Sequence, residues 1–237
     1  MVDKTYKFMQ SADSADTTEL LIHGDIIAAS FWGNLESDVG SFDIAKELEN
    51  VTTPNLLVRI NSNGGDASQG LGIYNLLKSF KGKVITINDG FACSAASVIF
   101  MAGVERIMPK SSLLLIHNAW TIAQGDSNDF KKTASDLETI TKPIIETYLA
   151  VSNLSEAQIK KMMDAETWIT ADEAVAWGFA TKVQENTPKQ SLEDHFLYKL
   201  VMKNKEYEKL LDVATKPQPK SETKDSWKSF FKGTKGN

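Results

Sequence analysis

Apolar and polar positions along the chain follow two alternating rhythms. Short runs rich in Leu, Ile and Val recur as E-L-L-I-H-G-D-I-I (19–27), N-L-L-V-R-I-N (55–61), V-I-T-I-N (84–88), R-I-M (106–108) and S-L-L-L-I-H (112–117). They predict strands, and their near-continuous apolarity predicts a largely parallel sheet covered on its faces. Helical spacing appears between them. S-F-D-I-A-K-E-L (41–48) predicts a helix capped by Ser41, and 67–80 predicts one with Leu71, Tyr74, Leu77 and Phe80 on its apolar side. Residues 94–103 are almost fully apolar, which predicts a buried helix. One long helix is expected from 128 to 150, and a second after Ser155. A third spans T-A-D-E-A-V-A-W (170–177), which opens with capping-box spacing and ends at Gly178. Strand, glycine turn and helix in repetition predict α/β architecture.

The ends of the chain read differently. Residues 1–17 are polar, so a mobile N-terminal segment is expected, followed by one folded domain over 18–184. Residues 185–213 predict a charged helical extension. Residues 214–237, K-P-Q-P-K-S-E-T-K-D-S-W-K-S-F-F-K-G-T-K-G-N from Lys216 on, predict a disordered lysine-rich tail with a W-x-x-F-F cluster.

Composition narrows the function classes. Of 237 residues 42% are hydrophobic, enough for one α/β domain with a sizeable core. A net charge of -5 lacks the basic excess that neutralises phosphates, so no nucleic-acid partner is expected. A single cysteine excludes an internal disulfide and a multi-cysteine zinc site. The N-terminus has no apolar signal core, and no run approaches the roughly 18 apolar residues of a membrane span. The expectation is a cytoplasmic protein without membrane, metal or cofactor. Neither nucleotide-binding glycine pattern is present, so any use of ATP would come from a partner.

The stretch N-D-G-F-A-C-S-A-A-S-V-I-F-M-A-G (88–103) carries the candidate chemistry. Ser94 follows a strand and a glycine, and it opens a helix. That puts its hydroxyl at the C-terminal edge of a parallel sheet, where α/β proteins build their sites. The next backbone N–H groups lie in a first helical turn, suited to an oxyanion. The bland reading is a helix cap. Cys93 is a rival nucleophile, but as a small residue before the helix it reads as packing. A serine needs a base. Of three histidines, His117 ends its strand as Ser94 does, whereas His23 sits in a G-D turn and His195 in the charged C-terminal region. An acid must orient the base. Asp164, Glu166, Asp172 and Glu173 are near at hand, and Asp164 and Glu166 are the freer because they precede the helix. Gly64 and Gly65 of N-S-N-G-G-D allow close backbone approach to a ligand, or simply a turn.

Taken together, I-N-S-N-G-G-D, G-F-A-C-S-A-A, L-L-L-I-H-N-A and T-W-I-T-A-D-E-A-V-A-W-G-F resemble the ClpP family of serine peptidases, in order and spacing, over residues 18–184. The resemblance implies the ClpP/crotonase-type fold of repeated β-β-α units with a protruding handle helix, here 128–150. It implies a nucleophile at Ser94, a base at His117, and oxyanion donors at Gly65 and Ala95. Gly64 and Asp66 would border the bound substrate. The family's aspartate aligns with Glu166, a departure that keeps Asp164 in reserve. It also implies a homo-oligomer of rings stacked through the handle helix, whose Leu137, Ile140, Ile144, Ile145, Tyr148 and Leu149 otherwise pack on the subunit's own core. The motif N-S-N-G-G-D in place of a proline- and valine-bearing version, the N-terminus and the long lysine-rich tail look more like the ClpP-related head maturation proteases of phages and prophages. These would act on capsid or scaffold proteins in a bacterial host or a phage prohead. The alternatives are a housekeeping ClpP subunit working with an AAA+ unfoldase, a crotonase-like acyl-CoA enzyme, and a non-catalytic assembly protein.

Overall fold

A computed structural model describes residues 6–12, 14–27 and 40–185. The C-terminal extension, the tail and His195 lie outside the described residues. The centre is a sheet ordered β1-β2-β3-β4-β5-β8, with β6 and β7 continuing from the far end of β4. β2 (Thr17–His23), β3 (Asn55–Ser62), β4 (Lys83–Cys93), β5 (Glu105–Pro109) and β8 (Lys182–Gln184) run parallel. The apolar runs are buried on alternate residues, as in β3, where Leu56, Val58 and Ile60 are fully enclosed.

β1 (Tyr6–Gln10) corrects the expectation of a mobile N-terminus. It pairs antiparallel with β2, Tyr6 opposite Ile22 and Phe8 opposite Leu20. The period-2 pattern of Tyr6 and Phe8 gives this segment an apolar face, and Tyr6 is buried.

β4 is longer than its apolar run predicts. It continues through Asp89–Gly90 instead of turning there, and its register against β3 shifts between Ile60 and Ser62. The bend lets the edge of β4 away from β3 serve two neighbours. Ile85–Ile87 pair with β5, and Phe91–Cys93 pair with β6 (Leu113–Ile116). Side chains secure it. The Asn61 Oδ1 accepts from the Phe91 N–H at 3.2 Å, and the Asn88 amide donates to the Leu113 carbonyl at 2.9 Å. Asp89 is gripped by both Arg59 nitrogens (2.8 and 2.6 Å), and His23 Nε2 lies 3.5 Å from it. Burial alone would push the Asp89 carboxyl up, but hydrogen bonds from His23 and Arg59 outweigh it and hold it below the usual carboxylate range.

Six helices are described. α1 (Ser41–Leu48) is capped by Gly40, not Ser41, whose hydroxyl instead reaches Gln69. α2 (Ala67–Lys78) buries the stripe Gly70, Ile73 and Leu77, while Leu71 and Tyr74 are half-buried. α3 (Ala95–Phe100) is buried throughout. α4 (Ser127–Leu149) divides in two. Ile144, Ile145 and Tyr148 join the core, whereas Phe130 and Ile140 are exposed. α5 (Glu156–Asp164) and α6 (Ala171–Ala176) carry capping boxes at Ser155 and Thr170. β7 (Thr167–Thr170) lies between them, antiparallel to β6, where the sequence predicts a loop. Among the described residues no helix is long and apolar enough to cross a membrane.

Arg106 ties the last strand to the sheet. Its buried guanidinium donates to the carbonyls of Phe179, Gly103 and Gly178 at 2.8, 2.7 and 3.0 Å. Arg106→Met keeps the bulk but strips three carbonyls of their donor. We expect it to cost about 2–4 kcal/mol in denaturant unfolding.

Candidate active site

The bend in β4 and the pairing of its tip with β6 build the site. Cys93 lies opposite Leu115, and the Ser94 N–H donates to the Leu115 carbonyl at 2.9 Å. Ser94 and His117 therefore leave the C-terminal ends of neighbouring parallel strands. Ser94 turns the chain abruptly into α3, with φ 54° and ψ -123°. A side chain in that backbone region costs about 1–3 kcal/mol and marks functional positions. Its hydroxyl does not cap the helix. Ser94 therefore holds the N-cap position of α3 without its hydroxyl making a cap hydrogen bond. Cys93 is buried, as its packing role requires.

Gly64 and Gly65 lie against this elbow. A Cβ on Gly64 (φ 95°) would sit 2.7 Å from the Ser94 Cβ and 2.5 Å from the Cys93 carbonyl oxygen, so only glycine fits. The rest of I-N-S-N-G-G-D holds the pair in place. Ser62 donates to the Gly24 carbonyl and accepts from the Gly64 N–H, and Ile26 exchanges hydrogen bonds with Gly64 and Asp66. Asp66 caps α2. Among the described residues the N–H groups of Gly65 and Ala95 have no acceptor.

Ser94, Ala95, Gly64, Gly65, Asp66 and His117 all line one cleft of about 790 Å³. Its far wall comes from α4, through Leu137, Ile140, Ile144 and Tyr148. His117 is half-buried. Its Nδ1 lies 2.7 Å from the Asn118 carbonyl, which can only accept. Nδ1 therefore carries the proton, leaving Nε2 as the basic nitrogen.

The acids are less tightly drawn in. The β6–β7 ladder ends at the pair Ile116–Thr167, and His117 and Glu166 are the next residues beyond it. Glu166 has φ 48° and turns the chain out of α5. Its carboxylate is exposed and has no partner among the described residues. Asp164 accepts from the Asn118 side chain at 2.8 Å, which makes it a neighbour of the group that holds His117. Glu173 completes the Thr170 capping box and Asp172 lies in the same first turn, so both serve α6. His23 belongs to the Asp89 cluster, outside the cleft.

Sequence reasoning misses two groups. Asn118 follows His117 and supplies both contacts just described. Ser97, one turn after Ser94, bonds to the Ser94 carbonyl and to Tyr148. The available signal was a lone hydroxyl in the apolar run A-A-S-V-I-F-M.

Comparison with known proteins bears on family and fold. The Clp protease family model matches residues 46–187. The ATP-dependent Clp protease proteolytic subunit of Bacteroides thetaiotaomicron is 34% identical over 131 residues, covering 53% of this chain and 58% of that protein. Proteolytic subunit 2 of Treponema denticola is 29% identical over 136 residues, covering 56% and 68%. The matched stretch thus spans about three fifths of these relatives' length. A solved ClpP1 mutant from Listeria monocytogenes shares the fold, with a TM-score of 0.59 at 22% identity over 72% of this chain and 92% of that one. By fold and by family match, the chain belongs to the Clp protease family.

Proposed function

We propose that this protein is a serine-type endopeptidase in which Ser94 is the nucleophile and His117 the general base. One observation carries the reading: Ser94 and His117 leave adjacent parallel strand ends and face the same cleft, beside two unpaired backbone donors. Nε2 of His117 takes the Ser94 proton as the hydroxyl attacks a peptide carbonyl. The developing oxyanion is held by the N–H groups of Gly65 and Ala95. His117 then protonates the leaving amine, and water releases the acyl-enzyme. An extended peptide would lie along Gly64–Asp66 and pair with backbone.

Glu166 is the orienting acid in this reading: it and His117 are the next residues beyond the Ile116–Thr167 pair, and in the working form its carboxylate would replace the Asn118 carbonyl as acceptor of the Nδ1 proton. Asp164 acts on Asn118 instead. The working form is a homo-oligomeric ring. Trp120, Ile122, Phe130 and Ile140 support it, four exposed apolar residues on the α4 entry and its outer half. The relatives' names, ATP-dependent Clp protease proteolytic subunits, favour a subunit fed with protein substrate by an AAA+ unfoldase. The capsid- or scaffold-processing reading rests on the N-S-N-G-G-D motif, the N-terminus and the lysine-rich tail, and none of the relatives named above supports it. The crotonase-like acyl-CoA reading has no use for an elbow serine beside a histidine.

Two outcomes follow. Ser94→Ala abolishes peptide hydrolysis, by at least about a thousandfold, with an unchanged thermal melt. Wild-type cleavage by the purified variant would refute the assignment. Glu166→Gln lowers kcat about tenfold or more, whereas Asp164→Asn leaves it within about twofold. The reverse order would transfer the role to Asp164.

A further inference from the structure

The backbone of Ser94 is held from a direction the peptidase chemistry does not use. Its carbonyl accepts from the Ser97 N–H at 2.9 Å, from the Val98 N–H at 3.3 Å and from the Ser97 hydroxyl at 2.6 Å. The Ser97 hydroxyl in turn lies 2.7 Å from the Tyr148 hydroxyl. The carbonyl can only accept, so the Ser97 proton points to it and Tyr148 donates to Ser97. Both side chains are fully enclosed, at 0% and 1% exposure. Burial raises the Tyr148 phenol well above its ordinary value, which keeps the donor protonated. The Tyr148 ring is fixed edge-on against Phe179, 5.9 Å between centroids.

The held carbonyl and the Ala95 N–H belong to one peptide unit. That unit is planar, and its C=O and N–H point in opposite directions. Fixing one end aims the other. We infer that Ser97 and Tyr148 are positioning residues: by holding the Ser94 carbonyl they aim the Ala95 N–H into the cleft as an oxyanion donor. The pair also carries part of the cost of the strained Ser94 backbone. The inference rests on the serine-peptidase reading and deepens it, because it names what orients the donor.

A merely structural pair and a positioning pair behave differently. Ser97→Ala orphans the buried Tyr148 hydroxyl, so it loses stability whatever its role. Adding Tyr148→Phe removes the orphan and restores the melt. An aimed donor acts in the transition state, so its loss lowers kcat and leaves KM unchanged. We expect kcat of Ser97→Ala to fall about tenfold, a fraction of the roughly hundredfold cost of losing a whole oxyanion donor. The fall persists in the Ser97→Ala/Tyr148→Phe double variant although its melting temperature recovers. Tyr148→Phe alone, which keeps the Ser97 hydroxyl, loses less.

The experiment measures peptide kcat, KM and melting temperature for wild type and the three variants, with Ser94 labelling of wild type by a fluorophosphonate as control. If kcat stays at the wild-type value in Ser97→Ala, or recovers with the melt in the double variant, the positioning role is refuted while the peptidase reading stands. If wild type neither cleaves peptide nor labels at Ser94, that reading falls and this inference with it.

Discussion

The pairing of the β4 tip with β6 is the constraint on which the site depends. A single hydrogen bond, Ser94 N–H to the Leu115 carbonyl, marks the last rung before both strands end. It holds a residue with positive φ at the point where β4 becomes α3. The same rung sets His117 one step past the end of the neighbouring strand. On the edge away from β3, β4 pairs first with β5 through Ile85–Ile87 and then, past the bend at Asp89–Phe91, with β6 through Phe91–Cys93. The Asp89–Arg59–His23 cluster and the amides of Asn61 and Asn88 sit at that bend and satisfy the polar groups it exposes. A buried carboxylate with fewer partners there would cost more than the bend could recover.

Around this rung the site is assembled from backbone more than from side chains. Gly64 is glycine because Ser94 occupies the space its Cβ would need. The proposed oxyanion donors are the peptide N–H groups of Gly65 and Ala95, which have no acceptor among the described residues. Such donors require no reorganisation when charge develops, provided their peptide planes are held. In the proposed site the Ile26 N–H, which donates to the Gly64 carbonyl, performs that service on the glycine side, and Ser97 with Tyr148 on the elbow side. The buried half of α4 is therefore part of the site, while its outer half presents the apolar surface.

Much of this was legible in the sequence, because strand ends and glycine positions are local signals. The Ser94 and His117 positions follow from where two apolar runs stop, and the Gly64–Gly65 pair from its place after a third. What escaped depends on partners far along the chain. β1 has only a weak alternation and becomes a strand because β2 offers it an edge. β7 covers Thr167–Thr170, and three of its four residues are polar or exposed, so pairing with β6 and not hydrophobicity defines it. The role of Asn118 needs the coordinates of Asp164, 46 residues away. Ser97 had a visible signal as a hydroxyl in an apolar helix, but its partner Tyr148 reads in sequence only as one more apolar position. Ser41 failed as a cap because Gly40 takes the cap position and Gln69 takes its hydroxyl.

The central claim is that His117 activates Ser94. The most direct test reacts purified wild type and His117→Ala with a fluorophosphonate and maps the modified residue by mass spectrometry. The account predicts modification of wild type at Ser94 and its loss in His117→Ala. Modification at another residue, or equal modification of Ser94 in both proteins, would contradict it.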